Sequence, residues 1–318
     1  MVNNPEEHHL QHCLGLLKKN NFIEYTGEFG AEITTFIPFV AWLKANGHLK
    51  GCRIKTYVGM QPYYFFLGED EYEEKEDLRR WLPIEKRFWP SNSTYHAVQS
   101  PFHVYTDYRH HYVQSGERFD RPLIFMQNKF NIEWNAGPIN FMPLNGLKKF
   151  FNLTQEKFTL FYSRPGARSN KNYTKDHNLE LNYPDMEIVA QYPHVVNFED
   201  YCANLEKNYN VTKLEILAKS NLYAAVQGGG AHLLACFSDA LMLLLDRSED
   251  LSKEGREYPH AYKSGPYKYL SNPPPQLMVA RTFSSFNAGL NLLSQVDFVE
   301  DKMCLTEEMK TTLESLRL

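Results

Sequence analysis

The stretch LYAAVQGGGAHLLACF, residues 222–237, decides the expected fold class. It begins with an uninterrupted apolar run, which is typical of a strand buried on both faces of a parallel sheet. A glycine triplet follows, and an apolar segment of helical character begins directly after it. Glycines between a buried strand and a helix allow backbone amides to approach an anionic group closely. The stretch therefore predicts an α/β protein with a turn suited to a diphosphate.

Residues 228–230, named the glycine turn below, have three interpretations. A dinucleotide fingerprint is disfavoured because Leu233 occupies the position of its third glycine. A binding turn for another kind of diphosphate is the leading interpretation, and a packing turn without a ligand is the alternative. The residues of the binding turn would be Gly228, Gly229, Gly230, Ala231 and His232.

Strands and helices alternate on both sides of this stretch. Further strands are predicted at residues 123–126, 158–162, 187–190 and 276–280. Helices are predicted at residues 144–151, within 205–219, and from the glycine turn through Leu245. Such alternation is typical of a doubly wound parallel sheet with helices on both faces.

The N-terminal part repeats the pattern on a smaller scale. A leading helix over residues 1–20 precedes, in order, a strand at 22–25, a glycine-containing turn, a helix at 33–46 and a strand at 53–58. The acidic and aromatic segment 69–90 is predicted to be an exposed helix that ends near Pro83. We therefore expect two Rossmann-like domains, residues 1–120 and 121–318, whose parallel sheets face a crevice. The last helix could pack back on the first domain.

Polar residues follow two of the predicted strands. Asn128 and Lys129 come after the strand at 123–126, and Ser163 and Arg164 come at the end of the strand at 158–162. Open α/β sheets bind ligands at the carboxyl ends of their strands. If these strands neighbour the one at 222–226, the two cations and the glycine turn converge on one site. Each cation taken alone could equally be a surface charge.

Lys213 is a further candidate for this site, because it precedes the glycine turn in the chain. It could contact a bound donor molecule. The alternative is a helical surface pair with Glu215, since the two residues are close in sequence on the predicted helix.

Three carboxylates are candidates for a general base. Glu28 and Glu32 flank the turn at Gly27–Gly30, where a carboxylate could face the crevice and deprotonate a hydroxyl group. Acidic residues that stabilise a helix N-terminus are the alternative interpretation. Asp107 is the second choice, together with His110 and His111, and an ordinary surface loop is the alternative interpretation of these three residues.

Composition excludes several classes of protein. The 318 residues are 43% apolar and 23% charged, as in soluble globular proteins. Asp and Glu number 38 against 34 Lys and Arg, so we expect no nucleic-acid partner. No apolar run of about 18 residues occurs, so we expect no membrane span. Five scattered cysteines without C-x-x-C, and an N-terminus without a signal-like segment, lead us to expect a cytoplasmic location.

Two common enzyme motifs are missing from the chain. The sequence contains no G-x-x-x-x-G-K-[ST] motif, which disfavours a P-loop kinase. It contains no G-x-S-x-G motif, which disfavours the common type of serine hydrolase.

Three short motifs resemble the GT-B class of glycosyltransferases. They are GEFGAE at 27–32, YNVTKLE at 209–215 and VQGGGAH at 226–232. The resemblance implies a nucleoside-diphosphate-sugar donor in the C-terminal half and a glycan or other hydroxyl acceptor in the N-terminal half. It also implies no metal and no cofactor, and the chain contains no D-x-D motif.

The resemblance also suggests roles for the candidate residues. Lys129, Arg164, Gly229, Gly230 and His232 would hold the donor diphosphate, and Glu28 or Glu32 would deprotonate the acceptor. Glu257 is the nearest counterpart of a ribose-binding glutamate, and a glycan would suit a crevice lined by Trp42, Trp81, Trp89 and Trp134. The alternatives are a sugar-nucleotide epimerase on the same scaffold and a non-catalytic module that binds a nucleotide or a glycan.

Overall fold

The computed structural model describes residues 5–77, 79, 100–132, 137–165, 181–205, 207–247, 267, 269–299 and 302–316. Within these residues the chain forms a three-stranded parallel sheet, a six-stranded parallel sheet and an antiparallel hairpin. The predicted α/β class with parallel sheets is therefore confirmed.

The three-stranded sheet belongs to an N-terminal block, residues 5–112. Its elements are α1 (Pro5–Asn20), β1 (Phe22–Glu24), α2 (Phe29–Ala31), a π-helical turn (Glu32–Phe36), α3 (Ile37–Ala45), β2 (Arg53–Tyr57), two 3₁₀ turns (Gln61–Tyr64 and Glu69–Glu71), β3 (Tyr72–Lys75) and α4 (Tyr108–Tyr112). The strand order is β1-β2-β3, and Ile54 of the central strand pairs with Ile23 and Tyr72. Helix α1 buries Leu10 and Leu17, which recur at helical spacing on one face.

The six-stranded sheet forms from the rest of the chain. Its strands are β4 (Leu123–Gln127), β5 (Thr159–Ser163), β6 (Val195–Asn197), β7 (Leu222–Val226), β8 (Leu241–Leu245) and β9 (Gln276–Ala280). The order across the sheet is β6-β5-β4-β7-β8-β9, and every pair is parallel. This is the order of a doubly wound sheet, in which the chain moves outward from β4 on one side and from β7 on the other.

Helices cover both faces of this sheet. They are α5 (Leu144–Thr154), α6 (Asp185–Val189), α7 (Phe198–Asn204), α8 (Tyr209–Lys219), α9 (Gly229–Leu234), α10 (Phe283–Leu293) and α11 (Glu307–Leu316), with the hairpin β10 (Asp297–Val299) and β11 (Lys302–Cys304) between the last two. Met309 of α11 is buried in the core of the six-stranded sheet. No described helix is long and apolar enough to cross a membrane.

Alternate residues of each strand enter two separate apolar cores, which explains the uninterrupted apolar runs. Ile124 and Met126 point toward α5 and α10, whereas Leu123 and Phe125 point toward α7 and α8. The core beside α7 and α8 continues into the N-terminal block and includes residues such as Tyr63. This core is therefore shared by the two sheets.

Helix α8 connects the two sheets through polar contacts as well. The Asn210 amide donates to the Gly59 carbonyl over 2.5 Å and accepts from the Tyr63 hydroxyl over 3.1 Å. At the other end of α8, the Arg109 guanidinium donates to the carbonyls of Ala218 and Ser220. Carbonyls at a helix C-terminus lack partners within the helix, so an arginine there satisfies them.

Three sequence predictions of secondary structure are wrong. Residues 187–190 lie in or directly after helix α6, because the short run Glu187–Ala190 fits either periodicity and the acidic first turn favours a helix. The helix predicted through Leu245 ends at Leu234. Residues 241–245 form the fully buried strand β8 instead, and Asp239, between the two elements, has φ 52°, a left-handed conformation through which no helix continues.

The third wrong prediction concerns the acidic segment. Its first part forms a 3₁₀ turn and then β3, which pairs with β2. The alternation of that strand buries Lys75, whose ammonium lies 2.6 Å from Glu24 and 4.7 Å from the centre of the Tyr57 ring. Of the remainder of the segment, only Glu76, Asp77 and Arg79 are described.

Candidate functional site

Strands β4 and β7 are neighbours, and the winding of the sheet reverses between them. A doubly wound sheet opens a crevice outside the carboxyl ends of the strands at this switch point. Strand β5 lies on the other side of β4, so the condition for a shared site, that the three strands be neighbours, is met. Asn128 and Lys129 follow β4, Arg164 follows β5, and the glycine turn follows β7.

Lys129 lies against the glycine turn. A Cβ atom at Gly228 would be 3.3 Å from the Lys129 Nζ atom, so the ammonium sits close to the turn backbone. Gly228 has φ 148°, a conformation that residues with side chains rarely adopt. The turn and a positive charge are therefore adjacent at the switch point.

The other side of the glycine turn packs against the N-terminal block. A Cβ atom at Gly229 would be 3.1 Å from the Gly30 nitrogen, and one at Gly30 would be 3.3 Å from the Gly229 Cα atom. The two backbones approach this closely because both residues are glycine. This contact supports a packing role for Gly229, alongside any binding role of the turn.

His232 lies at the same contact and is 4% exposed. A Cβ atom at Gly30 would be 3.1 Å from its Nδ1 atom, and its ring centre is 5.2 Å from that of Tyr267. Burial and, to a smaller extent, the nearby Lys129 charge lower the pKa of His232 to about 3. The imidazole is therefore neutral at pH 7. Ala231, beside it, is fully buried.

Arg164 is held by partners within the protein. Its Nε atom lies 3.1 Å from the buried Asp185 carboxylate, and its two terminal nitrogens donate to the carbonyls of Leu181 and Tyr183 over 3.2 Å. Asn128 belongs to the same cluster, because its amide nitrogen contacts the Tyr162 hydroxyl over 2.5 Å. Both residues lie at the predicted edge of the sheet, and the polar contacts described for them are with other residues of the protein.

Ser163 and Lys213 lie in a second buried cluster. The Ser163 hydroxyl donates to the Glu199 carboxylate over 2.7 Å, and burial raises the pKa of that carboxyl group. The Lys213 ammonium donates to Gln127 Oε1 over 2.8 Å, and burial lowers the pKa of Lys213 to about 8. The alternative of a surface pair with Glu215 is wrong, because both side chains are buried.

The three candidate bases occupy different environments. Glu32 is fully buried; its carboxylate lies 2.6 Å from Arg79 and accepts from the hydroxyls of Thr56 and Tyr64. Asp107 is exposed and caps α4 through the His110 amide.

Glu28 is half-buried and precedes Gly30, the residue in contact with the glycine turn. Its backbone carbonyl accepts a 2.6 Å hydrogen bond from the Tyr25 hydroxyl. Of the three candidates, Glu28 is therefore the one that is only half-buried and also close in sequence to the contact between the two blocks.

Sequence reasoning missed three polar residues of the site, namely Gln127, Asp185 and Glu199. Glu199 follows Asn197, which caps α7 directly after a short apolar run, so the cap was the available signal. Glu257, Trp81, Trp89 and Trp134 lie outside the described residues. Trp42 packs inside the N-terminal block against Phe39 and Phe102.

Comparison with protein-family models, curated proteins and solved structures gives no match for this chain. The described residues contain no group of three or more His, Cys, Asp or Glu side chains that could hold a metal ion. Fold and site together define an α/β protein with a doubly wound parallel sheet and a polar site at its switch point.

Proposed function

We propose that the protein is a glycosyltransferase of GT-B architecture, which moves a sugar from a nucleoside-diphosphate sugar to a glycan or another hydroxyl acceptor. The supporting observation is the position of Lys129 beside the glycine turn at the switch point. A positive charge at that point would stabilise the negative charge that develops on the departing nucleoside diphosphate. The proposed reaction uses neither a metal ion nor a cofactor.

The described contacts divide the candidate residues into two groups. Lys129 and the turn backbone would contact the diphosphate, and Glu28 would accept the proton of the acceptor hydroxyl. Asn128, Ser163 and Arg164 would hold the strand ends in place, because their polar atoms bond to Tyr162, Glu199 and Asp185. Glu32 would hold the N-terminal turn through Arg79, whose guanidinium also donates to the Gly27 carbonyl.

The test is a titration of the protein with UDP, GDP, CMP, dTDP and ADP by calorimetry, first without metal and then with Mg²⁺. We expect one nucleotide to bind without a metal requirement. Replacement of Lys129 by Met removes a charge-assisted hydrogen bond worth about 1.5–3 kcal/mol, and so weakens binding roughly ten- to a hundredfold. The matched control is Lys310→Met, since Lys310 is exposed on α11. Failure of all five nucleotides to bind the folded protein would contradict the proposal.

A second candidate function is a module that binds a nucleotide or a glycan without turnover. It is favoured by one observation, that Arg164 and Glu32 are both committed to buried ion pairs. Glu28→Gln separates the two functions, because it should abolish transfer to an acceptor and leave nucleotide affinity unchanged. Nucleotide binding without turnover of any donor and acceptor pair would favour the module.

A further inference from the structure

Lys213 is an unusual residue for the interior of a protein. It lies on α8, is 3% exposed and has the ring centres of Phe125 and Tyr209 5.8 and 5.9 Å from its ammonium. Among the described residues, its hydrogen-bond acceptor is Gln127 Oε1, at 2.8 Å. An ammonium has three donors, and its burial costs free energy unless partners compensate for lost water. Because Gln127 is the acceptor of this buried ammonium, we expect the role of Lys213 to lie in its effect on Gln127.

Gln127 is the last residue of β4 and touches the glycine turn. A Cβ atom at Gly230 would be 2.7 Å from Gln127 Cγ, so the side chain lies directly against the Gly230 backbone. Its amide nitrogen faces the Asn128 carbonyl at 3.4 Å, while its amide oxygen faces Lys213. The Lys213 ammonium thus fixes the orientation of the Gln127 amide group, and the rest of the Gln127 side chain supports the turn at Gly230.

We propose that Lys213 is a positioning residue, which holds the Gln127 side chain against Gly230 and thereby fixes the shape of the glycine turn. The shape of the turn is a property of the protein without ligand. Only the use of that shape, the binding of a nucleoside diphosphate, rests on the proposed function.

The protonation of Lys213 controls this contact. Burial lowers its pKa to about 8, against the opposing effect of Glu199 and Cys202 on α7. Those two residues and Tyr209 are the titratable groups that face it from the described elements packed around it. A neutral amine donates a weaker hydrogen bond than an ammonium. Deprotonation of Lys213 should therefore reduce, by about tenfold, the equilibrium constant for holding the Gln127 amide in place. The turn should therefore loosen as the pH rises from 7 to 9.

Amide hydrogen exchange in the ligand-free protein tests the proposal. For the amides of Gln227 and His232 in the wild type, which donate to the carbonyls of Leu245 and Gly228, protection corrected for intrinsic exchange should fall about tenfold between pH 7 and pH 9. Protection of α10 should stay constant over that range. Lys213→Met should lower the protection of the Gln227 and His232 amides at pH 7 by about tenfold and should remove the pH dependence of that protection.

Two further variants act as controls. Lys219→Met changes another lysine of α8, whose ammonium contacts the Ser115 carbonyl, and should leave the protection of the Gln227 and His232 amides as in the wild type. Adding Gln127→Leu to Lys213→Met should cause no further loss, because the two residues act in series. Wild-type protection in a folded Lys213→Met variant would overturn the proposal, and so would pH-independent protection in the wild type.

Nucleotide affinity gives a separate measurement. If a nucleoside diphosphate binds, its affinity for the wild type should fall between pH 7 and pH 9, and Lys213→Met should flatten that dependence. If none of the nucleotides binds, the proposed function fails, and the exchange experiment still decides the role of Lys213. An unchanged affinity profile in a variant with altered exchange would overturn the link between the turn shape and binding.

Discussion

Replacement of His232 by Gln should make the protein more resistant to mild acid. The imidazole is buried between the glycine turn and Gly30, and its pKa falls from the ordinary 6.5 to about 3. In the unfolded chain the same ring is solvated and takes up a proton below about pH 6.5. The unfolded state therefore binds more protons than the folded state between pH 6.5 and pH 3, and stability is lost as the pH falls through that window.

The magnitude follows from the two pKa values. At pH 7 both states are mostly neutral, so the contribution of His232 to the pH dependence is small. At pH 5 the unfolded ring is protonated and the folded ring is not, which costs about 2 kcal/mol at 1.36 kcal/mol per pH unit. This is a large part of the free energy of unfolding of a typical domain, which is about 5–15 kcal/mol.

Urea unfolding at pH 7 and at pH 5 measures the effect. The loss of unfolding free energy between the two values should be about 2 kcal/mol smaller in His232→Gln than in the wild type. His110→Gln is the matched control, because that exposed ring contributes nothing to the burial penalty at the glycine turn. An identical loss in the wild type and in His232→Gln would refute the reasoning.

Two other substitutions test the contacts on either side of the site, with urea unfolding as the measurement. Gly229→Ala should cost about 1–3 kcal/mol, since the new methyl group meets the Gly30 backbone at 3.1 Å. Gly15 lies on helix α1, and a Cβ atom there would meet no described atom within 4 Å. Gly15→Ala should therefore stabilise the protein by up to about 1 kcal/mol. Arg79→Met should cost about 3–5 kcal/mol because it leaves the Glu32 charge buried without its partner, and adding Glu32→Gln should recover part of that loss.

The main strands could be predicted from sequence because their signal is local. A strand buried on both faces is an unbroken apolar run, and β4, β5 and β7 each have one, followed by polar residues or glycine. The predicted meeting of their ends at one edge follows from the parallel order. The run at 241–245 carries the same signal, but the sequence alone does not separate it from the preceding helix, because the left-handed conformation of Asp239 is a backbone feature.

The environment of the candidate side chains could not be predicted in the same way. Arg164 lies at the predicted edge, yet its partner Asp185 belongs to a separate element, helix α6. Glu32 pairs with Arg79, which lies elsewhere in the N-terminal block. The hydrophobic periodicity of the sequence around Glu32 therefore does not indicate that its side chain is completely buried. Such pairs depend on tertiary packing, and a single sequence without partners in view does not reveal them.

The contact between Arg109 and helix α8 has a consequence for synthesis of the chain. Arg109 reaches carbonyls at Ala218, Ser220 and Ser238, so its partners are translated well over a hundred residues later. At about 5–20 residues per second, a ribosome needs roughly 5 to 25 s to cover that distance. During this interval the N-terminal sheet has emerged without the helices that complete its core. Its uncovered apolar face is therefore a part of the nascent chain that needs protection from aggregation.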